Sequence, residues 1–263
     1  IDVPAGKNIT VVRYSSFKNA SMFKITGGTF TVNAKDASSS ITFDGQNIET
    51  TVIKGGALYV DGGSLELNGT DKSGGRKTIS IQNNIISPSS TSAYGGGVYI
   101  MNGTNTMQDC SITGNTVSVS SSSSSAYSAY GGGVYITGGI TNTLTNCSIT
   151  SNMAWSSSSS SSSSASASAY GGGVYIDGGI KNTLTNCSIT SNKASSSAIS
   201  SSSYARGGGV YITSSETNTL TNCSTASNTA SAYTAATSYY AYAYGGGVYI
   251  TSSETNTLED CSI

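Results

Sequence analysis

The stretch AYGGGVYITGGITNTLTNCSITSNMAWSSSSSSSSSASASAYGGGVYIDGGIKNTLTNCSIT runs from Ala129 to Thr190. It states nearly one phrase twice, with nine serines, Ser156 to Ser164, between the copies. GGGVYI begins at Gly95, Gly131, Gly171, Gly207 and Gly245, in steps of 36, 40, 36 and 38 residues. Each copy is followed by a cysteine: Cys110, Cys147, Cys187, Cys223 and Cys261. The first glycine and the cysteine lie 15 residues apart in the first unit and 16 in the other four. Length therefore varies in the Ser/Ala/Tyr stretch and not in the phrase, which is how a surface connection behaves beside a fixed scaffold.

Earlier copies extend the scheme toward the N-terminus. GGALYVDGGSLELNG (Gly55–Gly69) with KTISIQNN (Lys77–Asn84) is one; MFKITGGTFTV (Met22–Val32) with SITFDGQN (Ser40–Asn47) is another. Aligned, the copies show three short apolar alternations per unit. Phe23 and Ile25 match Leu58 and Val60, then Val134 and Ile136. Phe30 and Val32 match Leu65 and Leu67, then Leu144. Ile41 and Phe43 match Ile79 and Ile81, then Cys147 and Ile149. A period of two is that of a half-buried strand, and a helical period is absent. Three strands joined by Gly or Asn turns, repeated at near-constant length, predict an all-β parallel solenoid in which stacked coils bury a row that one coil cannot bury alone. The coil itself takes about 22 to 24 residues on this reading, and the Ser/Ala/Tyr stretches become loops stacked along one edge. The alternative places two coils in each unit.

Composition narrows the function classes. Of 263 residues only 10% are charged, none is His, 32 are Gly and two are Pro, and the net charge is −1. No basic patch points to nucleic acid, and no apolar run approaches the ~18 residues of a membrane helix. Nine of the twelve Lys and Arg lie at or before Lys77. Residues 1–54 thus read as more charged N-terminal coils and 55–263 as the repeat array of one continuous solenoid. The sequence starts without Met and stops inside a repeat, as expected of a piece of a longer chain.

GGAL at Gly55–Leu58 and the later GGGV phrases resemble the GGA(I/L/V) motif of polymorphic outer-membrane-protein repeats. IQNN (Ile81–Asn84), ITGN (Ile112–Asn115) and ITSN (Ile149–Asn152 and Ile189–Asn192) resemble that family's FxxN motif with Ile for Phe. Bacterial autotransporter passengers share the plan. The resemblance covers about residues 20 to 263 and implies a right-handed parallel β-helix, secretion, and a role in adhesion or surface coating. Thr225 for Ile in TASN and the Ser/Tyr-rich inserts depart from the pattern.

In a register of like on like, Cys110, Cys147, Cys187, Cys223 and Cys261 form a buried small apolar ladder. Asn115, Asn152, Asn192 and Asn228, with Asn146, Asn186 and Asn222, sit at tight bends where amides pair along the stack. Asn146, Asn186 and Asn222 also fit the N-glycosylation pattern, as do Asn8, Asn19, Asn68 and Asn102. Tyr99, Tyr135, Tyr175, Tyr211 and Tyr249 alternate with the inward Val and Ile and so point outward. Tyr94, Tyr130, Tyr170 and Tyr244 precede GGG, with Arg206 in the remaining place. Self-stacking and docking of the loops is one reading of these tyrosines, and a contact surface for glycans or neighbouring molecules is the other.

The function expected is a secreted bacterial structural or adhesive surface protein, extracellular, self-associating into a homopolymer or laterally, and carrying or binding glycans. Head-to-tail stacking of coils into a fibre is one form this could take. No catalytic, cofactor or metal residues are assigned, and no enzyme activity is expected. Two alternatives stand beside it. An ice-binding face would use Thr143/Thr145, Thr183/Thr185 and Thr219/Thr221, although Gln108 and Glu259 interrupt that row at its ends. A carbohydrate-binding or polysaccharide-cleaving β-helix would need clustered carboxylates, whereas Asp109, Asp177, Glu216, Glu254, Glu259 and Asp260 fall in different units.

Overall fold

The computed structural model describes residues 1–73, 75–89 and 91–263. Among them every regular element is a β-strand, and every strand-to-strand pairing is parallel. In the unit opening at Gly131 the chain passes through Val134–Thr137 in sheet 1, Thr141–Thr145 in sheet 2 and Ser148–Thr150 in sheet 3. It continues through Met153–Ser158 in sheet 4 and Ala167–Tyr170 in sheet 5, then starts again at Gly171. Each strand pairs with its equivalent one unit away, as Val134 does with Val98 and Val174. One unit is therefore one coil. Sheets 1, 2 and 3 have seven strands each, sheet 4 has six and sheet 5 has five.

The three apolar alternations of the phrase build sheets 1 to 3 around the main core. Val134, Ile136, Leu144, Cys147 and Ile149 are buried there with their counterparts above and below. The N-terminal copies join in the expected register: Phe23 on Leu58, Phe30 on Leu65, Ile41 on Ile79. Stacking identical rows removes each coil's apolar face from water, which supplies the main drive to fold.

The Ser/Ala/Tyr stretch departs from expectation. It is not a loop outside a short coil. It forms sheets 4 and 5, so a full coil, such as the one opening at Gly131, has five strands rather than three and uses the whole unit. The physical reason is a period of two hidden inside a low-complexity run. Ala154, Ser156 and Ser158 face one way from Met153–Ser158 and are buried, while the residues between them are partly exposed. Sheets 4 and 5 lie face to face around a second core made of Val117, Val119, Ala129, Ala154, Ala169 and Ala194 with Ile86 and Ala93. Serine can stand beside alanine here because it is small and most of the buried hydroxyls find a partner, Ser158 being the one among the described residues that does not. The Ser156 hydroxyl donates to the carbonyl of Tyr127 at 3.0 Å, and that of Ser201 to Ala165 at 2.7 Å. Ser196 and Ser203 bond across the two sheets at 2.7 Å. The tips of this fin, such as Ser122–Ser125, are exposed, as is the outer side of its last strand, Thr229–Thr234, at alternate residues.

Fin and main core meet at a neck, and the three glycines of each phrase make it. Gly131 has φ +62°, the left-handed region that side chains avoid. Gly132 has no room: a Cβ there would meet the Gly172 carbonyl oxygen at 2.3 Å and Met153 backbone at 2.4 Å. At Gly133 a Cβ would lie 3.0 Å from the side chain of Asn152. The chain leaving sheet 3 for the fin and the chain returning from it thus touch backbone to backbone.

We expect Gly172→Ala, whose Cβ would meet Gly208 oxygen at 2.3 Å and Lys193 backbone at 2.4 Å, to lower the unfolding free energy by roughly 3 kcal/mol. A urea midpoint that moves down with unchanged slope would report it. A shift below about 0.5 kcal/mol would mean a wider neck than this one.

Candidate functional site

Four axial ladders and one outward face are the recurrent features of the rod. The first ladder runs through the neck. Asn84 donates its amide to the Oδ1 of Asn115 at 2.9 Å, Asn115 to Asn152 at 3.1 Å, Asn152 to Asn192 at 3.0 Å and Asn192 to Asn228 at 3.0 Å. The second amide proton of Asn152 goes to the carbonyl of Ile112 at 2.8 Å. Its Oδ1 also accepts the backbone N–H of Asn115 at 2.9 Å. The amides of Asn115, Asn152 and Asn192 are buried and partnered at both ends, which is what lets a polar row sit beside an apolar core, whereas the Oδ1 of Asn84 at the end of the row has no partner among the described residues.

A second ladder was not read from the sequence. Asn105, Asn142, Asn182, Asn218 and Asn256 join amide to amide at 2.8–2.9 Å along sheet 2. Asn105 takes the wall position that Leu65 holds in the coil before it and accepts the Leu65 N–H at 3.1 Å. The TNTLT strand carries the signal, since Asn in phase with Leu must face inward. The expected row Asn146, Asn186 and Asn222 is instead a set of left-handed bends, φ 53°, 53° and 51°, with Asn186 and Asn222 exposed. Their side chains make no ladder among the described residues, because a residue at a corner points away from the seam.

The cysteines occupy one wall, as Cys110 pairing with Ile79 shows. All five are unbridged, and all but Cys261 are buried. Each thiol of Cys147, Cys187 and Cys223 faces a carbonyl of the coil before, at 3.3–3.5 Å. Contact with the neighbouring thiol, then burial, pushes Cys187 up to about 12 and also raises Cys147 and Cys223. These thiols are packing groups, not nucleophiles.

The tyrosines stack on one another in two rows. Tyr99, Tyr135, Tyr175 and Tyr211 do project from the outer side of sheet 1, yet only 3–6% of each is exposed. Sheet 5 folds back over that side, and its Tyr94, Tyr130 and Tyr170 close against the first row. Ring centroids repeat at 5.2, 5.1 and 4.9 Å from Tyr99 to Tyr211, and at 4.9 and 5.2 Å from Tyr94 to Tyr170. Cross contacts such as Tyr94–Tyr135 at 5.1 Å lock the rows together. Arg206 keeps the second row continuous by lying 5.5 Å from the Tyr170 ring and 5.8 Å from that of Tyr244. The two rows pack into a zipper whose first row is buried from Tyr99 to Tyr211; Tyr94, Tyr130 and Tyr170 keep a partly exposed outer edge, and the zipper is open at both ends, at Tyr59 and at Tyr249 with Tyr244.

The outer face of sheets 2 and 3 carries hydroxyls. Thr106, Thr143, Thr183, Thr219 and Thr257 form one column in register. In sheet 3, Thr150 and Thr190 approach to 3.3 Å through their hydroxyls. The acidic residues stay apart: Asp109 is buried beside Lys77 at 3.6 Å, and Glu216 and Glu254 are exposed at one corner. Among the described residues no group of three His, Cys, Asp or Glu is placed to hold a metal ion.

With parallel strands, stacked corners and one coil per repeat in place, a comparison with families decides the type. The chain belongs to the right-handed β-helix family. The family model described as a right handed beta helix region matches residues 17–263. No curated protein and no solved structure matches this β-helix.

Two outcomes test these ladders. Asn152→Leu takes the acceptor away from the buried Asn115 N–H and side-chain amide, and should cost about 3 kcal/mol or more in urea unfolding. Near-neutrality would show that the ladder carries no stability. The tyrosine zipper predicts alkaline weakening. Burial, then the Asp61 charge, pushes Tyr99 up to about 12; burial, then neighbouring charges, does the same to Tyr130. Unfolded phenols ionise near pH 10, so above it the unfolded chain releases protons that the folded one keeps. Stability should hold below pH 10 and fall between about 10 and 12, with phenolate absorbance lagging that of the denatured chain. Coincident titration curves would contradict a closed zipper.

Proposed function

We propose that this β-helix is a stiff structural or adhesive segment of an extracellular, cell-surface protein, built on the plan of the polymorphic outer-membrane-protein and autotransporter-passenger repeats. The observation that carries it is the continuity of the ladders: asparagine, cysteine and tyrosine rows cross successive coils without a break. Recurrent residues are used to join coil to coil along the axis, which is the demand a load-bearing rod places on a sequence. Copies of itself are the first partner this role calls for. Glycans, bound or attached to the exposed serine tips, are the second. The role needs neither cofactor nor catalysis.

A second reading is favoured by the five-threonine column on sheet 2, whose ~4.8 Å strand spacing repeats hydroxyls on a flat face as an ice-binding surface would. Freezing-point hysteresis in a solution of the purified protein, lost in Thr183→Leu, would choose it over the first.

In cells that make the protein, a membrane-impermeant amine reagent should label exposed lysines such as Lys35, Lys181 and Lys193 without lysis. Labelling only after lysis would rule out a surface role.

A further inference from the structure

The zipper has an open N-terminal end. Sheet 5 begins only at Ala93–Tyr94, so the outer side of the first two strands of sheet 1, Phe23–Ile25 and Leu58–Asp61, lacks the cover that the later coils have. In the two tyrosine rows, lysines take the places next in line. Lys24 stands in register with Tyr59, and Lys54 bridges to Tyr94. The result is a cleft of about 570 Å³ between Asn19–Ser21, Lys24, Thr51–Lys54 and Tyr59, a volume suited to a small ligand.

Its chemistry is specific. Lys24 and Lys54 hold their ammonium groups 5.3 and 5.7 Å from the Tyr59 ring, and Lys54 is 4.9 Å from Tyr99. Among the described residues the ion pairs belong to Lys77, and neither Lys24 nor Lys54 has one. Two cations converging on one ring without a carboxylate call for an anion. Asp61, which accepts the Tyr59 hydroxyl at 2.9 Å, is engaged at the far end of that ring. The hydroxyls of the lining already donate inward, Ser21 to the Lys54 carbonyl and Thr51 to the Asn19 Oδ1, both at 3.0 Å. Toward the cleft they offer lone pairs, which suit a ligand rich in O–H donors.

We propose that this cleft binds an acidic saccharide. The carboxylate or sulfate meets Lys24 and Lys54 beside the Tyr59 ring, and the sugar hydroxyls donate to Ser21 and Thr51. The site stands or falls apart from the cell-surface role, because it rests on these side chains alone.

Titration calorimetry of the whole chain would use trigalacturonate, a sulfated galactan trisaccharide, maltotriose and sodium sulfate. Binding of either acidic trisaccharide is expected, weakened by added salt. It should fall about tenfold or more in Lys24→Gln/Lys54→Gln and stay unchanged in Lys35→Gln/Lys181→Gln. The uronate and sulfated arms decide which anion is preferred, and a Tyr59 ring-proton shift on binding places the sugar. Failure of both acidic sugars to bind would overturn the proposal. So would maltotriose binding equally well, sulfate binding as tightly as the trisaccharides, or a double lysine variant that binds like the parent while its melting temperature is unchanged.

Discussion

The contact between Asn152 and Gly133 is the constraint on which the architecture turns. There the chain leaves the main core for the fin and, after the serine run, comes back through the same gap. Two backbone groups and two side-chain amides must be satisfied there, away from solvent. The asparagine does it by donating to a carbonyl and to the next asparagine while accepting from an N–H and an amide. That geometry leaves no volume on the facing strand, which is why glycine stands there in all five GGG units and only Ala57 replaces it in the GGAL copy. Asparagine and glycine are one device, although about 20 residues separate them in the sequence.

Much of this was legible in the residues. The alternations at Val134/Ile136, Leu144 and Cys147/Ile149 fixed three sheets and their register, because a period of two assigns every side chain to a face. The neck asparagines were legible too, as residues that tolerate bends and pair along a stack. What stayed hidden has a physical cause in each instance. Serine has no strong preference between strand and loop, so Ser156 to Ser164 conceals its own alternation; only the burial of Ser156 and Ser158 against alanines reveals it. The tyrosines were read as outward, and they are, but whether an outward face meets water depends on what folds over it. Sheet 5 could not be placed without knowing that the insert doubles back. Asn142 was passed over because an asparagine between threonines looks like surface until Leu144 fixes its phase.

The division of labour between faces follows. Apolar and amide rows hold coils together inside; the phenol rows seal fin to core; hydroxyls of small side chains are left for the outside of sheets 2 and 3. Charge, which would disturb stacking of like on like, is concentrated where stacking is incomplete, at the N-terminal coils. Lys24 and Lys54 belong to that pattern: they occupy zipper positions where no further tyrosine row arrives to cover them.

Hydrogen–deuterium exchange of the native protein tests the central claim most directly, that the serine-rich inserts are strands of the same coils. Backbone amides of Met153–Ser158 and Ala167–Tyr170 should exchange on the slow timescale of Val134–Thr137 in the main core, with fast exchange confined to the tip between them. Exchange of the whole insert within seconds, while sheets 1 to 3 stay protected, would reduce the fin to loops and contradict the account.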